Sequence, residues 1–164
     1  MKLMDKVDDG TTVGSVKKFL RDNYTEGARC PCCGQVVKLY KRSITSSMAY
    51  GLILMANAKD ERGGDPFLHV EDFFKSKNIP SSIRGDIPKL TMFGLLMSPI
   101  DGKGIYGVTP LGFDFVNGVY KAPAYVEVYN NKVIRTSDKM VTIQQALKNK
   151  FEYQKLMKGE LNYA

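Results

Sequence analysis

This sequence lacks most of what covalent catalysis needs. A single histidine serves 164 residues. There is no Gly-x-x-x-x-Gly-Lys cradle for phosphate, and no pair of carboxylates whose spacing says more than a solvated face. A nucleophile, a base and a stabilising group cannot be assembled from the remainder, so an enzyme is not expected. The three cysteines, Cys30, Cys32 and Cys33, are too few and too crowded for the disulfide framework of a small secreted domain. The opening MKLMDKVDDG has no apolar stretch of signal-peptide length. The longest apolar run, around Met48 to Ala58, falls far below the roughly 20 residues that span a bilayer. Repeats, low-complexity tracts and long linkers are also missing. These absences lead us to expect a cytoplasmic chain with no membrane partner.

The composition is that of a folded protein. Hydrophobic residues make up 43% and charged residues 25%, which excludes disorder as the default and suits one compact domain with an appendage. Lysine and arginine outnumber the acids by 24 to 17, for a net charge of +7. That excess favours an anionic partner such as nucleic acid, although many proteins of this size carry it without one.

The first segment, residues 1–44, reads as a loose start over Met1 to Thr12 followed by a helix. Ser15 is placed to cap that helix, Val16, Phe19 and Leu20 fall on one side, and Gly27 would stop it. Cys30-Pro31-Cys32-Cys33-Gly34 comes next, ahead of a strand at Val36 to Tyr40. Two residues between cysteines let both thiolates reach one tetrahedral ion, and the glycine permits the turn, so the spacing is that of one zinc knuckle. A closed structural site needs four ligands, and the second pair is missing. Three completions remain open: Cys32 and His69 join Cys30 and Cys33; two chains each give a cysteine pair across a homodimer; or no metal binds and the thiols form a small turn. Adjacent cysteines seldom serve one ion, which counts against the first. A redox Cys-x-x-Cys would want a helix after it, and a strand follows here.

The second segment, residues 45–119, opens with Thr45 capping a helix that carries Met48, Leu52 and Met55 along one side, a stripe we read as core packing. A loop at Asp60 to Pro66 leads to a short strand at Phe67 to Val70 and a helix at Glu71 to Lys77 burying Phe73 and Phe74. His69, where it is not a ligand, reads as a partly buried strand residue. Ser81 or Ser82 can cap the next turn. Pro88 then demands either a short helix beginning near Asp86, with Ile87 and Leu90 inward, or a kink. An apolar strand follows Gly94, Asp101-Gly102-Lys103-Gly104 reverses the chain, and a second strand delivers it to Thr109.

This order (helix, short strand, helix, helix, hairpin, helix) resembles the winged helix-turn-helix domain of bacterial repressors. In that family the third helix is followed by Gly-Leu, a hairpin wing and a Thr-x-x-Gly that opens the next helix. The matching residues are Gly94-Leu95, the wing Met97 to Val108, and Thr109-Pro110-Leu111-Gly112, within a likeness covering about Thr45 to Gly118. The chain is also similar to small phage and prophage proteins that place a Cys-Pro-x-Cys-Gly knuckle before such a domain. The resemblance implies an α+β winged helix, a third helix in the major groove of duplex DNA, and a wing on backbone or minor groove. Carried onto this chain, Arg84, Lys89 and Thr91 would lie on the third helix and Lys103 at the wing tip, with Arg84 reaching guanine or phosphate, Lys89 and Lys103 phosphate, and Thr91 either.

The third segment, residues 120–164, reads as a hairpin turning at Asn130-Asn131 between Tyr125 to Tyr129 and Lys132 to Arg135. A last helix follows, opened by a Thr142–Gln145 capping box, with Ile143, Ala146, Leu147 and Phe151 on its buried side and Gly159 at its end. This tail is expected to pack on the central segment or on a second copy. Charge is distributed unevenly: Asn78 to Lys121 balances at +1, whereas Arg29 to Arg42 holds four basic residues and no acid. Lys38, Lys41 and Arg42 therefore join the expected DNA contacts. The leading expectation is a small DNA-binding transcriptional regulator. Its rival is a non-enzymatic module that uses the same fold to bind a protein, for example a phage protein holding a host factor, for which Met92 and Phe93 would suit.

Overall fold

A computed structural model describes residues 1–4 and 7–160. The chain forms a mixed α+β structure with antiparallel sheets, in two compact units. The larger comprises residues 43–126 and 136–164, and the smaller residues 1–42 and 127–135. The expected C-terminal segment is thus divided between them.

The larger unit is built on one helix, α2, Ser46–Glu61, whose N-cap Thr45 accepts the Met48 N–H at 3.2 Å. The expected Met48–Leu52–Met55 stripe is buried, and so is almost every other residue from Ser46 to Ala58. A helix apolar on all sides has to lie inside, and this one does. Its neighbours are α4 (Ser81–Arg84), a 3-10 helix (Ile87–Phe93), β6 (Ile105–Val108), α5 (Pro110–Val116), α6 (Ile143–Leu147) and α7 (Tyr153–Met157). Gly51 makes one of these contacts close: a Cβ there would collide with Cδ1 of Ile87 and stand 3.3 Å from Cζ of Phe74.

Strand β4, Phe67–His69, precedes α3, Val70–Ser76. It pairs with β6, Phe67 opposite Gly107 and His69 opposite Ile105, while β5, Leu96–Met97, pairs with the other edge of β6. The sheet order is therefore β4-β6-β5, with β5 and β6 joined as a hairpin. Phe74 is fully buried, whereas Phe73 is only half covered and meets Phe74 edge-on. Later in the chain β7, Ala122–Pro123, pairs with β10, Met140–Val141. No sequence signal announced that two-residue pair.

Three local expectations change. Pro80, not Ser81 or Ser82, stands at the N-cap of α4, without a side-chain cap. Pro88 sits in the first turn of the next element, where its missing N–H costs nothing, and Ile87 and Leu90 point inward as expected; the turn is 3-10 rather than α. The single C-terminal helix is two, because Lys148 adopts φ 56°, ψ −149° and breaks the run after α6. The capping box is present, Ile143, Ala146 and Leu147 are buried, and Phe151 stacks on Tyr50 at 4.4 Å. Gly159, at φ 77°, follows α7.

In the smaller unit α1 runs from Val13 to Asn23, capped by Thr12 rather than Ser15, with Tyr24 as its C-cap ahead of Gly27. The start is less loose than its composition implies. Lys2 bridges to Ala28 in parallel, and its ammonium lies 3.3 Å from Glu26. Residues 5–6 of that expected loose start lie outside the described residues. The expected strand Val36 to Tyr40 is split into β2, Val36–Val37, antiparallel to β1, Ala28–Arg29, and β3, Tyr40–Ser43. Strand β3 lies in a sheet of order β3-β8-β9 with β8, Tyr125–Tyr129, and β9, Lys132–Thr136, which fall largely in this unit. Asn130 and Asn131 both have positive φ, the two-residue primed turn expected between them.

Candidate nucleic-acid interface

The junction between the 3-10 helix, the hairpin and α5 is locked by residues of the Gly-Leu and Thr-x-x-Gly motifs. Gly94 closes the 3-10 helix in the left-handed region, at φ 70°. The Thr109 hydroxyl donates to the Gly94 carbonyl at 2.6 Å and accepts the Gly112 N–H at 3.0 Å, so one side chain caps α5 and ties it back fifteen residues. Any Cβ on Gly112 would strike the Leu95 carbonyl oxygen. These positions demand small or capping residues for backbone reasons.

On that frame, the side chains expected to meet DNA differ sharply in freedom. Arg84 is only 13% exposed, and its Nη1 sits 3.0 Å from Glu71 Oε1 on α3, although not along a hydrogen-bonding direction. Its guanidinium is held inside the unit rather than turned outward. Lys89 is half-buried and pairs with Asp86 three residues earlier. Thr91 is exposed, with its hydroxyl donating to the Pro88 carbonyl at 2.8 Å. Lys103 is exposed at the hairpin turn. Phe93 is buried and Met92 half-buried. The hairpin instead exposes Met97 and Ile100.

His69 is exposed rather than partly buried, and it occupies the N-cap position of α3. Its Nδ1 stands 3.4 Å from the Asp72 N–H and 3.0 Å from Asp72 Oδ2. One nitrogen cannot accept the first and donate to the second at once. The shorter contact favours Nδ1–H donating to the carboxylate.

In the smaller unit the cysteine turn is a tight loop between β1 and β2. The Cys30 N–H donates to the Gln35 carbonyl and the Gly34 N–H to the Cys30 carbonyl, both at 2.8 Å. Gly34 takes φ 73° and Arg29 Nη1 donates to its carbonyl at 2.8 Å. Backbone N–H groups of Cys33 and then Cys32 face the Cys30 sulfur, with further help from the Cys33 side chain, and hold its pKa below the usual thiol value. Cys32 moves the other way. Its side chain is exposed, yet close packing of the turn removes enough water to raise its pKa, and the charge on Cys30 adds to this. All three thiols are free. Among the described residues no three His, Cys, Asp or Glu side chains converge on a metal position.

Beyond the turn, Lys38, Lys41 and Arg42 are exposed. Between them stands Tyr40, 42% exposed, with Lys38 Nζ 5.4 Å and Arg42 Cζ 5.5 Å from its ring centroid. Tyr40 was missed in the sequence, although the alternation basic–aromatic–basic at positions 38, 40 and 42 was there to be read. The smaller unit holds eleven basic and six acidic residues, so most of the chain's net positive charge lies in it. Among the described residues, no helix is long and apolar enough to cross a membrane. No protein-family model matches this chain, and neither a curated protein nor a solved structure matches it significantly.

Proposed function

We propose that this chain is a winged-helix DNA-binding protein, a small non-enzymatic transcriptional regulator. What supports the reading most is the β4-β6-β5 sheet: the strand before α3 and the hairpin after the 3-10 helix form one antiparallel layer beside α2. In this reading α4 with the 3-10 helix stands where the family has its third helix, and β5–β6 is the wing. Thr91 and Lys103 are the exposed contacts there, Lys89 adds a cation on exchanging Asp86 for phosphate, and Arg84 positions α4 through Glu71. Lys38, Lys41 and Arg42 supply further phosphate contacts from the smaller unit.

Each cation on phosphate steepens the log–log salt slope by about 0.9 on duplex DNA. Fluorescence anisotropy with a labelled duplex from roughly 50 mM salt upward measures it. Replacing Lys89 and Lys103 with alanine together should lower affinity and flatten the slope by nearly 2. Absence of duplex binding at the lowest salt would refute the reading.

The rival reading, a protein-binding module such as a phage protein that holds a host factor, is favoured by two features. The cations of the α4 and 3-10 region are already matched by Glu71 and Asp86, and the hairpin exposes Met97 and Ile100. The two readings separate on the salt titration.

The cysteine turn fits half of a structural zinc site. Cys30 and Cys33 would be the ligands, and N–H groups aimed at the Cys30 sulfur suit a thiolate. A pair from each of two copies would complete the four ligands, and the ion would supply a cross-link and charge neutralisation there.

A further inference from the structure

The tyrosine and cations around β3 have a geometry that phosphate binding alone does not need. Tyr40 stands exposed on the outer strand of the β3-β8-β9 sheet. Lys38 Nζ and Arg42 Cζ both stand within cation–π range of its ring. Beside it opens a groove of about 210 Å³ lined by Val36, Val37, Lys38, Tyr40, Tyr129 and Asn130. Its second aromatic wall, Tyr129, is braced from within the unit by Tyr24, their ring centroids 4.5 Å apart. The segment Arg29 to Arg42 contributes four positive charges and no negative one.

An unpaired base has an exposed π-face on each side and a phosphate at each end. A duplex offers phosphates and groove edges but keeps its π-faces stacked. An exposed tyrosine next to a small groove, with a lysine before it and an arginine after it, complements the first better than the second. Lys38 Nζ, 5.4 Å from the Tyr40 centroid, and Arg42 Cζ, 5.5 Å from it, set two cations beside the base position, where the adjoining phosphates would lie. The guanidinium can also stack on a neighbouring base.

We infer that the smaller unit carries a binding site for single-stranded nucleic acid, in which a base enters the Tyr40–Tyr129 groove and stacks on Tyr40 while Lys38, Lys41 and Arg42 hold the adjoining phosphates. The site belongs to the smaller unit alone and does not depend on the winged-helix reading, so failure of duplex binding leaves it standing.

The test titrates the full chain at low salt into fluorescein-labelled oligo(dT), oligo(U) and a random-sequence duplex. Each is about twelve units long, within the site sizes such surfaces occupy. Single strands should bind and quench tyrosine emission, which is readable because the chain has nine tyrosines and no tryptophan. Preference for either strand chemistry supports the site and assigns DNA or RNA to it. Tyr40→Ala should weaken single-strand binding by roughly five- to 150-fold, the range that loss of one base–aromatic stack gives. It should leave duplex binding and the melting temperature unchanged, and Tyr40→Phe should stay within about threefold of the parent. Arg42→Gln should reduce the salt slope on single strands by about 0.7. Equal loss on single strand and duplex in Tyr40→Ala, or unchanged single-strand affinity, would overturn the inference. A reading that needs no variant comes from photo-crosslinking oligo(4-thio-dT) to the unaltered chain: adducts should map to the peptides holding Tyr40 or Tyr129, and adducts confined to other peptides would refute the site.

Discussion

The seating of the 3-10 helix on α2 can be tested by moving one methyl group from one side of the contact to the other. Gly51 lies in the middle of a buried helix, where alanine would ordinarily be favoured over glycine by about 1 kcal/mol. Here the added Cβ collides with Ile87 Cδ1, and overpacking of this kind costs typically about 1–3 kcal/mol. Gly51→Ala alone should therefore destabilise by up to about 2 kcal/mol, the clash less the helix gain. Ile87→Val removes that Cδ1 and leaves a small void, at about 0.5–1.5 kcal/mol. Combined, the alanine fills the void. The remaining neighbours, Ile87 Cγ1 at 3.2 Å and Phe74 Cζ at 3.3 Å, need to yield by only a few tenths of an ångström. The double variant should lie within roughly 0.5 kcal/mol of the parent, giving a favourable coupling of about 1–3 kcal/mol. Urea unfolding followed by far-UV circular dichroism measures all four corners of the cycle, with unchanged m-values as the control. Additive losses would refute the close packing of Gly51 against Ile87. If the 3-10 helix also reads DNA, duplex affinity should fall in Gly51→Ala and return in the double variant.

Other positions make sharper single tests. Lys148 holds a backbone conformation that glycine adopts freely and lysine does not, so Lys148→Gly should raise stability by about 1–2 kcal/mol once the entropy of glycine is subtracted, and a lower melting temperature would contradict the strain. Elemental analysis of purified protein should give one zinc per two chains, lost in Cys30→Ser; one per chain would require an internal site, and none would reject metal binding by the turn. The Tyr153 hydroxyl donates to the Val116 carbonyl at 2.8 Å, and burial raises its pKa above the ordinary tyrosine value. Its contribution is complete below a pH of about 10 and declines as pH rises through the folded-state pKa, because ionisation is easier in the unfolded chain. Tyr153→Phe should cost about 1 kcal/mol near neutrality, less at strongly alkaline pH, and a pH-independent difference between the two proteins would refute the linkage.

Elements whose signals lie within a few residues were legible. Thr45 with the apolar run after it gave α2; Thr142 with Gln145 gave the capping box; Asn130-Asn131 gave the hairpin. Each is a short-range hydrogen-bonding or backbone preference written into adjacent side chains. What escaped depends on partners far along the chain or on conformations the residue type disfavours. Arg84 looked like a free cation because Glu71, thirteen positions earlier, is brought beside it only when α3 and α4 pack. Lys148 gave no hint of a break, since nothing in a lysine announces positive φ. The two-residue strands β7 and β10 are too short for any periodicity to mark.

That division bears on how charge should be read. Counting basic residues along a candidate reading helix treats every lysine and arginine as available, yet Arg84 and Lys89 each face a carboxylate within their own unit. A cation already paired must exchange one anion for another, so its gain on binding phosphate is smaller than that of an exposed and unmatched one. From Arg29 to Arg42 the cations have no acid in the intervening sequence, and Lys38 and Arg42 are set against an exposed ring rather than a carboxylate. The salt dependence of nucleic-acid binding should therefore follow substitutions at Lys38 and Arg42 more closely than substitutions at Arg84. The reverse ranking would place the grip on α4 after all.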